Sequence, residues 1–162
     1  MDAKNVVGPW MKRDVVSIKV SSTLREAASI LAQKRIGTLP VVDDAGVLIG
    51  ITTMGDILKL FLPDFLSLMG NVDFVKDYGA LRELSPEDIE KADSLTVGDI
   101  MEEAVSIERG CSLIRALSVM KTHSLSDLPV LRDDKLVGLV SRVDIGRALL
   151  KIWLKKEPVE TA

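Results

Sequence analysis

Two stretches of this 162-residue chain, about ninety residues apart, spell nearly the same series of short strings in the same order. Val7 to Met11 (VGPWM) is matched by Val97 to Met101 (VGDIM), and Val16 to Ile18 (VSI) by Val105 to Ile107. The segment TLREAASILAQKRIGTLPVV from Thr23 is matched by SLIRALSVMKTHSLSDLPVL from Ser112, with Leu-Pro-Val in register in both. GITTMGD, residues 50 to 56, returns as GLVSRVD, residues 138 to 144. An internal repeat of this length constrains the fold more than any local propensity, because the two copies must adopt the same structure. The offset drifts from 90 to 88, so the copies differ by single-residue gaps in turns.

Each copy reads as strand, helix, strand, strand, helix. Leu24, Ala27, Ala28 and Leu31, and in the second copy Leu113, Ala116, Leu117 and Met120, lie at helical spacing and give each first helix one apolar face. Thr23 with Glu26 three residues on forms a capping box, which the second copy loses by carrying Arg115 after Ser112. The turns DDAG and RDDK, flanked by apolar runs, mark β-hairpins. The helix after Thr53 carries Ile57, Leu58 and Phe61, and its longer counterpart carries Ile145, Leu149, Ile152 and Trp153. A unit of this size buries too little surface to stand comfortably alone, so the two copies are expected to pack sheet against sheet around a pseudo-twofold axis, leaving a cleft. The expected division is repeat one at 7–60, a helical insert at 61–95 and repeat two at 96–154.

Composition removes several function classes. A net charge of −3 with no run of Lys or Arg argues against nucleic acid. The greasiest stretch, Ile57 to Met69, is interrupted by Lys59, Pro63 and Asp64, short of the ~20 apolar residues of a membrane helix. One Cys and one His cannot assemble a Cys/His zinc cluster within the chain, and the N-terminus lacks the basic start and apolar centre of a secretory signal. A cytoplasmic protein is expected. Aromatic residues make up only 4% of the chain, so a flat ligand would be enclosed mostly by aliphatic side chains.

The Thr/Ser-x-x-Asp string sits where a strand runs into a helix. Thr53 and Ser141 are expected at helix N-caps, with Asp56 and Asp144 one turn in, a favourable arrangement worth about 0.5–2 kcal/mol per cap. Glu or Gln reaches back more easily than Asp in a capping box, yet both copies use Asp. A short carboxylate held at the rim of a cleft is suited to accept hydrogen bonds from a vicinal diol such as that of ribose.

Together the in-register Gly-apolar-x-Thr/Ser-x-x-Asp and Leu-Pro-Val motifs resemble tandem cystathionine β-synthase (CBS) domains, the pair known as a Bateman module, over nearly the whole chain outside residues 60 to 95. The resemblance implies an α+β fold of two repeats, each a small, mostly antiparallel sheet with packed helices, paired by pseudo-twofold symmetry. It further implies a regulatory module that binds AMP, ADP, ATP or a related adenosyl ligand such as S-adenosylmethionine, an energy-sensing role, a homodimer formed through helices, and no catalytic cofactor. Carried over by position, Thr53 and Asp56 serve one pocket and Ser141 and Asp144 the other. Val16, Ile18, Leu39 and Pro40, with Val105, Ile107, Leu128 and Pro129, become adenine walls. Many relatives hold His or Arg just before Leu-Pro-Val to meet phosphate; here Gly37-Thr38 and Ser126-Asp127 stand there, and Asp127 would repel an anion. Arg142 is the best phosphate candidate, and Met54 is its counterpart. Lys12 and Arg13 face Glu102 and Glu103 in the same lopsided way, so the two pockets are not equivalent.

The other conspicuous residues have simpler readings. His123 falls near a helix C-terminus, where an imidazole suits the dipole, and no nucleophile or carboxylate pair is identifiably set beside it, so an enzyme is not expected. Trp10 and Trp153 read as plugs packing the terminal segments. Cys111 takes the position of Ser22. Ser85-Pro86-Glu87-Asp88 opens a helix in the insert. Phe61, Phe65 and Phe74 concentrate there and are expected to form a surface packed on their own module. Any output is expected to act in trans on a separate effector protein. The alternative is a ligand-free interaction scaffold working through that insert.

Overall fold

The strands that begin each repeat are only two residues long, β1 (Ile18–Lys19) and, in the second copy, β4 (Ile107–Glu108). The structure, a computed structural model, describes residues 5–61 and 85–155. After β1 come α1 (Leu24–Lys34), β2 (Thr38–Val42), β3 (Leu48–Thr53) and α2 (Met54–Lys59). The insert contributes α3 (Pro86–Asp93), and α4 (Val97–Ile100) leads into the second copy. There β4 is followed by α5 (Leu113–Thr122), β5 (Asp127–Arg132), β6 (Lys135–Ser141) and α6 (Arg142–Leu154). Each repeat thus has the expected element order and a three-stranded sheet, β1-β2-β3 or β4-β5-β6. Both sheets open with a parallel pair, Ile18 opposite Val41 and Ile107 opposite Val130. β5 and β6 are antiparallel, joined through Asp133 and Asp134, both at positive φ as a two-residue type I′ turn requires.

The backbone repeats more faithfully than the side chains. Arg35 and Ser124, at equivalent positions after α1 and α5, both take left-handed backbone angles. The next amide in each copy, Ile36 or Leu125, donates to a helix carbonyl, Leu31 or Met120. Neither position carries the Gly that favours this geometry. Thr23 and Glu26 form the expected reciprocal capping box, while Ser112 accepts from the Arg115 amide without a return bond.

Two compact units are present, and in each the opening segment of one repeat joins the strands of the other. Among the described residues, one joins 5–16 and 44–48 to 104–155; the other joins 17–43 to 49–61 and 85–103. In the first unit, Val7 donates to the Cys111 carbonyl and Lys12 exchanges both backbone bonds with Leu139 of β6. In the second, Ile51 of β3 exchanges both with Glu102. The VGPWM and VGDIM strings therefore lead into the edge-pairing residues Lys12 and Glu102, and each ends in a Met laid over a strand glycine: Met11 over Gly138, Met101 over Gly50. A Cβ on Gly50 would stand 2.7 Å from the Met101 sulfur and 2.9 Å from the Glu102 carbonyl oxygen.

Apolar burial follows the helix faces with two exceptions. Leu24, Ala27 and Leu31 are buried on α1, but Ala28 is exposed, so that stripe is narrower than its spacing implies. Around α5 and α6 the core comprises Val7, Ile107, Leu113, Ala116, Met120, Leu128, Val130, Val140, Ile145 and Ala148. Trp10 packs against it, half-buried, with the Lys151 ammonium 5.6 Å from its ring centroid. Trp153 is not the plug its size implies: it lies on the outer side of α6 at 68% exposure. α3 lies against α1 through a forked Arg25–Asp93 pair at 2.9 and 2.6 Å, over a groove of about 290 Å³ lined by Leu24, Ala28, Ile57, Phe61, Ile89 and Ala92. The insert helix thus packs on its own unit, as expected; Phe65 and Phe74 lie outside the described residues.

Within β3 the Thr52 hydroxyl is fully buried with no hydrogen-bond partner, where the second copy has Val140. An isosteric swap that removes an unsatisfied hydroxyl is neutral or stabilising, so Thr52→Val is expected to leave stability unchanged or raise it by about 1 kcal/mol. Gly50→Ala, which forces Met101 and the Glu102 carbonyl apart, is expected to cost about 1–3 kcal/mol. Urea unfolding of both variants beside the parent measures the opposite signs.

Candidate functional site

β3 delivers Thr53 directly into α2, and the Met54 amide donates to the Gly37 carbonyl at 2.9 Å, pinning the helix start to the entrance of β2. The Thr53 hydroxyl accepts from the Asp56 amide at 3.2 Å, and the Thr53 amide and hydroxyl donate to Asp56 Oδ2 at 2.8 and 2.7 Å. Oδ1 accepts from Lys59 Nζ at 3.1 Å, and the same ammonium stands 3.7 Å from Glu102 Oε1. Asp56 is only 8% exposed. Burial pushes its carboxyl upward, but the two Thr53 donors and the Lys59 ammonium together outweigh that and hold it below the ordinary carboxylate value.

The second copy repeats the frame with different side chains. The Arg142 amide donates to the Ser126 carbonyl at 2.8 Å, and the Ser141 amide and hydroxyl donate to Asp144 Oδ2 at 3.0 and 2.7 Å. Asp144 returns its amide to the Ser141 hydroxyl at 3.1 Å. Among the described residues nothing donates to Asp144 Oδ1. Arg142 is exposed, with one guanidinium nitrogen donating to the Leu125 carbonyl at 2.9 Å. Asp127 faces Ser141 across β5 and β6.

Asp proves long enough to close these boxes. Thr53–Asp56, Ser85–Asp88 and Ser141–Asp144 are fully reciprocal, and Thr96 gives its amide and hydroxyl to Asp99. The choice of Asp over Glu is therefore not, by itself, a mark of ligand binding: the carboxylate already serves the helix with one oxygen. What separates the copies is the other oxygen, filled by Lys59 in the first and, among the described residues, without a donor in the second.

The proposed wall residues divide by exposure. Leu39 and Leu128 are wholly buried, Thr38, Pro40 and Pro129 are buried, and Ile18 and Ile107 retain only 5% and 7% of their surface. Val16 and Val105 are half-buried and keep surface to offer. Lys59 and Glu102 complete the surroundings of Asp56, and the Asp-to-Lys spacing of three within one helix is the sequence signal for the first of them. His123 is exposed at the end of α5. Cys111 is half-buried, and burial pushes its thiol up, against a weaker opposite pull from Arg115. No helix among the described residues is long and apolar enough to cross a membrane.

The CBS domain family model matches residues 3–63 and 97–151. The chain belongs to the CBS domain family. Chloroplastic CBSX1 of Arabidopsis thaliana is 31% identical over 159 residues, covering 90% of this chain and 64% of that protein, so the chain spans less than two thirds of that relative. The solved structure of CBSX2 in complex with AMP, whose sequence is also from Arabidopsis thaliana, superposes with a TM-score of 0.68 at 26% identity, covering 91% of this chain and 98% of that one. The CBS pair of protein MJ0100, solved with 5′-methylthioadenosine and S-adenosylmethionine, shares the fold at TM-score 0.67 and 22% identity, covering 91% and 97%. The chain is thus an α+β pair of CBS repeats.

Because the Asp56 carboxyl is held low, its contribution to folding is present above its unfolded value near 3.8 and disappears as pH falls through the depressed folded value. Asp56→Asn is expected to cost about 0.5–2 kcal/mol at pH 7. The gap from the parent should close below pH 3.8, as followed by denaturant unfolding across pH.

Proposed function

We propose that this CBS pair is a regulatory module that binds an adenosyl ligand through its Thr/Ser-x-x-Asp loops and passes the signal to a separate effector protein. The carrying observation is the Ser141–Asp144 loop, whose carboxylate is fixed by its cap through Oδ2 and keeps Oδ1 without a donor among the described residues. A ribose diol supplies the donors that such an oxygen accepts. Binding of AMP by CBSX2 supports the same ligand class here. Thr53, Asp56, Ser141, Arg142 and Asp144 are the proposed polar contacts, with Thr38 beside them and Val16, Ile18, Leu39, Pro40, Val105, Ile107, Leu128 and Pro129 around the base. AMP, ADP, ATP and S-adenosylmethionine are the candidate ligands.

The ligand acts by binding two arrangements of the module unequally, which is the only way a ligand shifts a conformational balance. Binding and release suffice for this role, so no turnover is proposed. In our reading the module works as a homodimer in the cytoplasm and reports adenylate levels. A second reading, an interaction scaffold with no ligand, draws on the first loop: Asp56 already has both oxygens occupied, by Thr53 and Lys59.

Thermal unfolding with each candidate separates the two. Ligand at ~100 times its dissociation constant should add about 2.7 kcal/mol of stability. An unchanged melt with all four would favour the scaffold.

A further inference from the structure

We infer that helices α5 and α6 of the second repeat form the docking face for an acidic amphipathic helix carried by the separate effector, which deepens the proposed action in trans and rests on it. The first repeat already seats such a helix. α3 holds four acidic residues against one Lys and lies on α1 through the Arg25–Asp93 fork, with Ile89 and Ala92 over the apolar groove. By the repeat register Arg25, Ala28 and Phe61 answer to Ile114, Leu117 and Leu149. α5 and α6 pack against each other as α1 and α2 do. Ile114 is nevertheless 65% exposed, so among the described residues no counterpart of α3 covers it.

The face continues along the outer side of α6. Ile145 and Ala148 turn inward and are buried, whereas Val143, Leu150 and Leu154, spaced seven and four apart, share the opposite side with Trp153 beside them. These four are between 56% and 76% exposed. Large apolar side chains gathered on one exposed face mark a contact surface. Arg147, Lys151 and Lys155 follow the stripe at four-residue spacing and are exposed, and no ion pair ties them to an acidic residue among the described residues. The one acid of α6, Asp144, is already engaged in its cap. α6 is thus the charge complement of α3, and a helix of that kind with a longer apolar stripe fits it by helix-in-groove recognition. A second copy is the poorer match, since it would bring these same cations or the α1–α2 groove that α3 already lines. A lipid surface would suit the stripe, but in the equivalent place the first repeat seats a helix.

The test is titration of the full chain, followed by tryptophan emission and sedimentation, with a synthetic peptide of about twenty residues, long enough to be helical alone. The peptide carries a Leu stripe flanked by Glu; its twin carries Lys for each Glu, and vesicles containing phosphatidylserine supply the lipid surface. The Glu peptide is expected to bind with a blue shift as Trp153 leaves water, to bind less at high salt, and to bind at least about tenfold tighter than the Lys twin. Trp153→Ala should weaken it about five- to thirtyfold. Arg147→Glu combined with Lys151→Glu should reverse the preference toward the Lys twin, which a variant that fails to fold could not do. Equal binding of the two peptides, or no binding of the Glu peptide at about millimolar concentration, overturns the inference and leaves adenosyl binding intact. So does capture by the vesicles alone, which assigns the face to lipid, or a dimer that Leu150→Glu splits and that excludes the peptide, which assigns it to a second copy. A bound Glu peptide beside a melt unmoved by every adenosyl ligand removes the regulatory reading and keeps the docking face.

Discussion

One carboxylate oxygen holds each helix to the strand before it. Asp56 Oδ2 and Asp144 Oδ2 each take an amide and a hydroxyl from the residue that caps the helix, and the cap hydroxyl takes an amide back. The carboxylate is thereby fixed in direction before any ligand arrives, and its second oxygen is left to the surroundings. Preorganisation of this kind lowers the cost of ordering a side chain on binding. Capping thus uses one oxygen in both copies, and the other is held by Lys59 at Asp56 and has no donor among the described residues at Asp144.

Much of the architecture could be read from the chain because duplication supplies two samples of each local rule. The strand-to-helix loops, the capping box at Thr23, its loss at Ser112, the Asp133-Asp134 turn and the helix opened by Ser85 and Pro86 all follow from residues within a few positions of one another. The exchange of edge segments does not. VGPWM and VGDIM are near copies, so each has two plausible strands to pair with, and local pattern contains nothing to choose between them; only chain direction and packing decide. The left-handed residues Arg35 and Ser124 were invisible for a different reason, since neither is the Gly by which that geometry is usually recognised. Trp153 illustrates a third limit: helical spacing says which residues share a face, and near the end of α6 that face has run past the core.

At the candidate site, legibility stopped at the second oxygen. Spacing placed Thr53 with Asp56 and Ser141 with Asp144, but it over-read the preference for Asp, because it did not foresee that Asp completes a box as readily here as Glu does at Thr23. The repeat register sets Lys12 and Arg13 against Glu102 and Glu103 but does not place them beside the loops. The missing fact was the pairing of Glu102 with Ile51, which carries that acidic position alongside Lys59 and Asp56.

Duplication followed by substitution at solvent-facing positions is an economical way to make two copies of one frame do different things. Charges at the surface are held by water and ionic screening at small cost to stability, so Lys12 for Glu102, Arg142 for Met54 and Arg147 for Lys59 leave the packing of each unit alone. Buried positions are less free: Thr52 for Val140 strands a hydroxyl, and the glycines under Met11 and Met101 leave no room for a side chain. Divergence is therefore channelled toward exposed positions near the Thr/Ser-x-x-Asp loops, where Glu102 in one copy answers to Lys12 in the other while the backbone that aims each carboxylate stays the same.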